Sequence, residues 1–203
     1  AAATAALQAF QRQPQNPVNY AMEAACLLQA GRWAEYDQVR HEMLQAQART
    51  DNPYVADQTA KACLFRPLTG EALQTAAKLA QISLAQGARD DGAEPFFQLC
   101  QALAEYRLGR FESAASWSQK AYATPRPEAR QHAAALLALA YWQLGQTNLA
   151  RQFLAEGENL APTSMPADIS TSPGEQWRGW LFARVQLNEA EALIPAESTA
   201  TSP

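Results

Sequence analysis

The chain has 203 residues, of which 48% are hydrophobic and 18% are charged, with a formal net charge of −4 and a sequence pI near 5.2. This composition is typical of a globular protein. The mild acidity and the scattered lysines and arginines argue against a nucleic-acid partner, because such partners favour a clustered basic surface. Since no long uninterrupted apolar stretch occurs, we also expect no membrane insertion.

The three cysteines, Cys26, Cys63 and Cys100, cannot all pair with one another, and no Cys-x-x-Cys motif occurs. No Asn-x-Ser/Thr sequon occurs either. This usage favours a reducing, cytoplasmic setting. The cysteines lie 37 residues apart among alanines and leucines, so we interpret them as small apolar residues inside repeated helices and not as a metal or redox site.

Taken in chain order, segments rich in Ala, Leu and Gln predict an all-α protein. The opening stretch TAALQAFQRQPQNP is typical of a second helix that Pro14 ends, so we expect the chain to begin inside a repeat. Residues 162–174 are predicted as a loop, and residues 195–203 as a flexible tail or linker. The predicted helices lie at 1–13, 17–30, 32–48, 53–65, 69–87, 94–108, 111–123, 128–144, 147–160 and 175–194.

Four glycines punctuate this series at a nearly constant period. Gly31, Gly70, Gly109 and Gly145 are spaced 39, 39 and 36 residues apart, and each follows one helical pattern and precedes another. Glycine accepts the left-handed backbone of a tight turn without the penalty of a Cβ atom. The spacing therefore predicts repeated helix-turn-helix pairs.

The units around Gly109 and Gly145 are the most regular of the four. Small residues at Ala138 and Ala150 allow two helices to approach closely, and Tyr141 fills the adjacent space. The string AEYRLGRFESAASWSQKA, which contains Gly109, has the same layout. The second unit is the most diverged, because its turn is longer and contains Pro67.

These units resemble tetratricopeptide repeats over roughly residues 1–162. The final helix, WRGWLFARVQLNEAEALI, together with AKACLF and LAEYRLGRFESA, resembles the C-terminal repeat region of bacterial eukaryote-like serine/threonine kinases and related multidomain regulators. The resemblance implies a right-handed superhelix of antiparallel helix pairs, with about four repeats and a C-terminal capping helix, in one domain over residues 1–194. No kinase motif occurs in the chain, so it would be the non-catalytic arm of a larger signalling protein.

We expect no catalytic residue, metal or cofactor. His41-Glu42 begins like a zinc-protease motif, but Gln45 occupies the position of the second histidine. Asp90-Asp91-Gly92 lacks the alternating acids of a calcium loop. An all-α enzyme with an unrecognised site remains an alternative, because fold does not dictate function.

The favoured hypothesis is a protein–protein interaction module that binds a peptide or a partner domain in a concave groove lined by the first helix of each pair. For Phe96, Leu99 and Trp142, packing between repeats is the alternative to binding. A structural array that self-associates through its open N-terminal end, or serves as a spacer, is the second functional hypothesis. The candidate partner-binding residues are Phe96, Leu99, Tyr106, Arg107, His132, Trp142 and Gln143.

Overall fold

The computed structural model describes residues 17–87, 92–160 and 175–196, and within these ranges the chain forms nine α-helices and no strand. The predicted bounds of these helices are confirmed to within one residue. The predicted helix over 1–13, the loop over 162–174 and the tail from 197 onward lie outside the described residues. The helices are α1 (Pro17–Gln29), α2 (Trp33–Gln47), α3 (Pro53–Leu64), α4 (Gly70–Gly87), α5 (Glu94–Arg107), α6 (Phe111–Tyr122), α7 (Pro127–Gln143), α8 (Thr147–Asn159) and α9 (Glu175–Leu193).

The turns between paired helices have the predicted left-handed glycines. At Gly109, where φ is 75°, the glycine N–H donates to the Tyr106 carbonyl at 3.0 Å, and the Arg110 N–H donates to the Glu105 carbonyl at 2.9 Å. This paired closure of a helix end satisfies two carbonyls that have no partner inside the helix. The turns at residues 31 and 145 repeat the arrangement, whereas Gly70 begins α4 after the longer loop that contains Pro67.

Consecutive helices pack against each other, and the first helices of the pairs, α1, α3, α5 and α7, also pack on one another in chain order. The contacts are built largely from alanines and leucines, and Ala138 and Ala150 are fully buried as the close approach of α7 and α8 requires. Each buried leucine side chain stabilises the fold by about 1.5–3 kcal/mol. The all-α fold class is therefore confirmed as an ordered series of packed helices.

The final helix, α9, packs mainly on α7 and also contacts α8. It also reaches α1, at the other end of the described series. We call the surface that the first helices present to α9 the inner face; Gln29, Phe65, Arg107 and His132 mark it. No helix within the described ranges is long and apolar enough to cross a membrane.

Candidate functional site

Arg107 fixes α9 on the inner face. Its Nη1 and Nη2 atoms lie 2.5 and 2.6 Å from the two carboxylate oxygens of Glu189, while its Nε and Nη2 atoms donate to the carbonyls of Leu64 and Phe65 at 2.8 Å. The planar guanidinium suits this paired geometry, and an ammonium would not reproduce it. Arg107 thus joins the ends of α3 and α5 to α9, and its side chain is only 4% exposed.

Apolar contacts also hold α9 on the inner face, along the rest of the helix. The Phe182 ring centroid lies 5.0 Å from that of Phe65. Helices α9 and α7 are so close at Gly179 that a Cβ added there would lie 2.9 Å from the Cβ and Cγ atoms of Glu128 on α7. At the opposite end of the contact, the Asn188 amide donates to the Gln29 side chain at 3.3 Å. The inner face therefore holds a helix along its length, from α1 to α7.

This placement corrects the expectation of an open groove, because α9 occupies the surface where a partner was predicted to lie. Arg107 is engaged by Glu189, and His132 is buried beneath α9. Leu99 is fully buried, as packing between repeats requires. No local sequence pattern indicates this contact, since Arg107 and Glu189 are 82 residues apart.

The other predicted residues lie at two separate places. Tyr106 is almost fully buried, with its ring 5.7 Å from that of Phe111. Trp142 is half-buried against the core, and Gln143 is exposed. Phe96 is half-buried near the start of α5 and lines one cavity with His132, whereas Tyr106 lies at the end of α5, so the candidate residues do not form one continuous surface.

A buried ion pair on α3 was not among the predicted site residues. The Lys61 ammonium lies 2.7 and 2.8 Å from the two carboxylate oxygens of Asp57, and the side chains are 2% and 4% exposed. The Gln58 amide donates to the same carboxylate at 2.8 Å. Burial raises the pKa of Asp57, and the Lys61 ammonium opposes that rise. The spacing of four residues was a visible signal for the pair, but not for its burial.

His132 on α7 lies beside this pair. It is 2% exposed, and the Gln186 side chain of α9 lies beside its imidazole without a well-formed hydrogen bond to Nε2. Burial lowers the pKa of His132 to about 3, and the positive charge of Lys61 acts in the same direction. The imidazole is therefore neutral at physiological pH.

The ion pair and His132 line a cavity of about 460 Å³, which we call the inner cavity. Helix α9 forms one of its walls through Arg178, Gly179 and Phe182. Lysine and arginine groups flank an aromatic side chain there, since Lys61 Nζ and Arg126 Cζ lie 5.8 and 5.7 Å from the Phe96 ring centroid. The full lining is Tyr54, Asp57, Gln58, Lys61, Gly92, Ala93, Phe96, Phe97, Arg126, His132, Arg178, Gly179 and Phe182.

A second cavity, of about 450 Å³, lies between the C-terminal part of α9 and the α1–α2 turn. Its lining is mainly apolar and includes Trp33 and Leu193, which are 51% and 41% exposed. The Arg66 guanidinium lies 4.7 Å from the Trp33 ring centroid. This edge cavity can accept an apolar side chain, but it offers few polar groups to orient a reaction.

The chemistry available in the described ranges is limited. No group of three or more His, Cys, Asp or Glu residues is placed there to hold a metal ion. Burial raises the pKa of Cys26 and of Cys63 to about 12, and it raises the pKa of Cys100 well above its ordinary value. These thiols stay protonated at neutral pH, so they are poor nucleophiles.

No protein-family model, curated protein or solved structure matches the chain.

Proposed function

We propose that the chain is a non-catalytic, tetratricopeptide-like protein-interaction module whose inner face binds an amphipathic helix of a partner protein. The observation that carries this proposal is the packing of α9 on the inner face, because a helical ligand would pack there in the same way. The sequence resemblance supports the module's place in a larger bacterial signalling protein. The three unpaired cysteines support a cytoplasmic location.

The chemistry of α9 defines the partner helix. Leu181, Phe182 and Val185 bury apolar side chains, and Glu189 adds a carboxylate seven residues after Phe182, on the same side of the helix. On the inner face, Phe65 contacts the Phe182 ring, and Arg107 pairs with the Glu189 carboxylate. We expect a partner helix with apolar residues at this spacing and an acid two turns after an aromatic residue.

Such a partner must displace α9, and the contact contains features that favour its release. The indole Nε1 of Trp180 is buried on α9 with no hydrogen-bond partner in the described part of the chain, and the buried amide of Gln186 has His132 as its polar neighbour without a well-formed hydrogen bond. Each unpaired buried polar group costs about 1–3 kcal/mol, which weakens the hold on α9 relative to a purely apolar contact.

The test compares two substitutions on α9 in the full chain. Glu189→Gln removes the charge that faces Arg107, whereas Glu191→Gln removes a charge that pairs with Arg184 on the exposed side. Proteins captured from the source cells by the wild-type chain would be purified, and their affinities would be measured for all three forms. We expect Glu189→Gln to bind the partner more tightly and to increase hydrogen exchange in α9, while Glu191→Gln matches the wild type.

Failure of every form to bind any purified candidate would contradict the interaction proposal. A partner that binds all three forms with equal affinity would instead place its site away from the inner face. Light scattering on the same samples tests self-association, because release of α9 in one copy would expose an inner face that α9 of another copy can occupy.

A further inference from the structure

We propose that the inner cavity binds a small organic anion that carries an apolar group. The inference goes beyond the proposed function, since it concerns the chain with α9 in place. Helix α9 contributes Arg178 and Phe182 to the cavity wall, and α5 contributes Phe96 and Phe97. A ligand enclosed there meets aromatic rings on two sides and cationic groups between them.

The charges that line the inner cavity favour an anion. Asp57 and Lys61 neutralise each other at 2.7 Å, and Arg126 and Arg178 contribute two further positive charges. Glu128 lies 3.8 Å from Arg126 but does not line the cavity. Guanidinium groups bind carboxylates and phosphates through paired hydrogen bonds, so the anionic head of the ligand belongs near these two arginines.

Two buried polar side chains among the lining residues also point to a ligand. The Oε1 atom of Gln58, whose side chain is 7% exposed, has no hydrogen-bond partner among the described residues, and the His132 imidazole, 2% exposed, has the Gln186 side chain of α9 as a neighbour without a well-formed hydrogen bond. The Gln58 amide nitrogen is already used by Asp57. A neutral imidazole that carries its proton on Nε2 can donate to an anionic oxygen, and a ligand hydroxyl can donate to Gln58.

The size of the cavity limits the ligand to a small molecule. A volume of about 460 Å³ lies in the range of small-molecule sites, which is about 300–1,000 Å³. With α9 docked, Gly179 is in close contact with Glu128, and no extended peptide can pass between α7 and α9 at that point. The apolar group of the ligand packs against Phe96, Phe97 and Phe182, and its head faces the arginines.

The test uses three probes on the full chain: 3-phenylpropionate, phenyl phosphate and the neutral alcohol 3-phenylpropanol. Calorimetric titration gives the affinities, and amide chemical-shift changes locate the binding. We expect at least one anion to bind about tenfold more tightly than the alcohol, with shifts centred on Lys61 and His132. The anion that binds more tightly identifies the head group as carboxylate or phosphate.

Substitutions of single cavity-lining residues show which side chains contact the ligand. Arg126→Gln and Arg178→Gln each lower the affinity about tenfold, because each removes a charge-assisted hydrogen bond. Arg110→Gln is the matched control, since Arg110 is an exposed arginine outside the cavity. His132→Phe weakens the binding while thermal unfolding shows the fold intact, because it removes a donor to the anion from the cavity lining.

Three outcomes would overturn the proposal: neither anion binds at millimolar concentration, the alcohol binds as tightly as the anions, or both arginine variants keep the wild-type affinity. None of these outcomes affects the proposed helix-binding function, which is measured with protein partners and with α9 released.

Discussion

At the scale of single residues, the ion pair between Asp57 and Lys61 is the least expected feature of α3. Removing one member of a buried pair leaves the other charge without compensation. We therefore expect Asp57→Asn to lower the free energy of unfolding by about 3 kcal/mol, measured by urea denaturation.

The pair between Asp37, which is exposed, and the half-buried Arg40, with a closest approach of 2.7 Å, supplies the control. Asp37→Asn should cost less than about 1 kcal/mol, because water screens that pair. The double variant Asp57→Leu/Lys61→Met should recover most of the stability lost in Asp57→Asn, since two apolar groups replace two charges. Equal stabilities of Asp57→Asn and Asp37→Asn would show that the buried pair contributes no more than the control pair.

His132 makes stability depend on pH. Its pKa is lowered from 6.5 to about 3, so the unfolded chain binds a proton at this residue more readily than the folded chain does. The contribution is fully present above pH 6.5 and is lost as the pH falls toward about 3, at up to about 1.4 kcal/mol for each pH unit.

Two measurements check this pH dependence. Proton NMR should show that the imidazole of His132 does not titrate above pH 4. His132→Phe should flatten the fall in stability between pH 6.5 and pH 4. A steep fall that persists in this variant would assign the effect to other groups.

The sequence predicted these residues unequally, and the reason is physical. The separation of four between Asp57 and Lys61 predicts a helical ion pair, but burial depends on α5 and α9, which are distant in sequence. His132 was predicted as a binding residue from its place on a first helix. Its neutral state follows from enclosure by α9 and from Lys61, and neither can be inferred from neighbours along the chain.

At the scale of elements, the helix bounds were predictable because local chemistry sets them. Glycines close the turns after α1, α5 and α7, and prolines begin α3 and α7. The position of α9 was not predictable in the same way. It depends on Arg107 meeting Glu189 and on Phe65 meeting Phe182, and these contacts have no periodic signal.

The close approach of α9 and α7 at Gly179 gives a prediction for this element. In Gly179→Ala the new Cβ would lie 2.9 Å from two Glu128 atoms, so α9 must move away from the start of α7. Alanine gains about 1 kcal/mol in helix propensity, but overpacking costs about 1–3 kcal/mol. We expect a net loss of about 1 kcal/mol and faster hydrogen exchange in α9.

The double variant Glu128→Gly/Gly179→Ala removes both clashing atoms and should return the exchange rates of α9 toward those of the wild type. If Gly179→Ala alone leaves α9 as protected as in the wild type, the two helices have room that the contact distance does not suggest.

At the scale of the whole molecule, α9 connects parts that a simple repeat array keeps apart. In such an array each pair contacts only its neighbours, and unfolding can begin at either end. Here α9 contacts both α1 and α7, so the first and last described pairs share one helix. This connection should make unfolding more cooperative than the repeats alone would allow.

Truncation tests the connection. A chain that ends before residue 175 loses the buried Leu181, Phe182 and Leu187, and we expect its stability to fall by about 3 kcal/mol or more. Its urea transition should also broaden, and circular dichroism and tryptophan fluorescence should no longer coincide. A transition as steep as that of the full chain would mean that the pairs are coupled without α9.

The three buried cysteines have a consequence for how the protein can be observed. Cys26, Cys63 and Cys100 lie on α1, α3 and α5, so each of the first three pairs carries one protected thiol. An alkylating reagent can reach such a thiol only when its own pair opens, and the rate at each position then reports the local opening free energy. The chain thus carries three native chemical reporters, and a ligand or partner that tightens one pair would slow labelling there first.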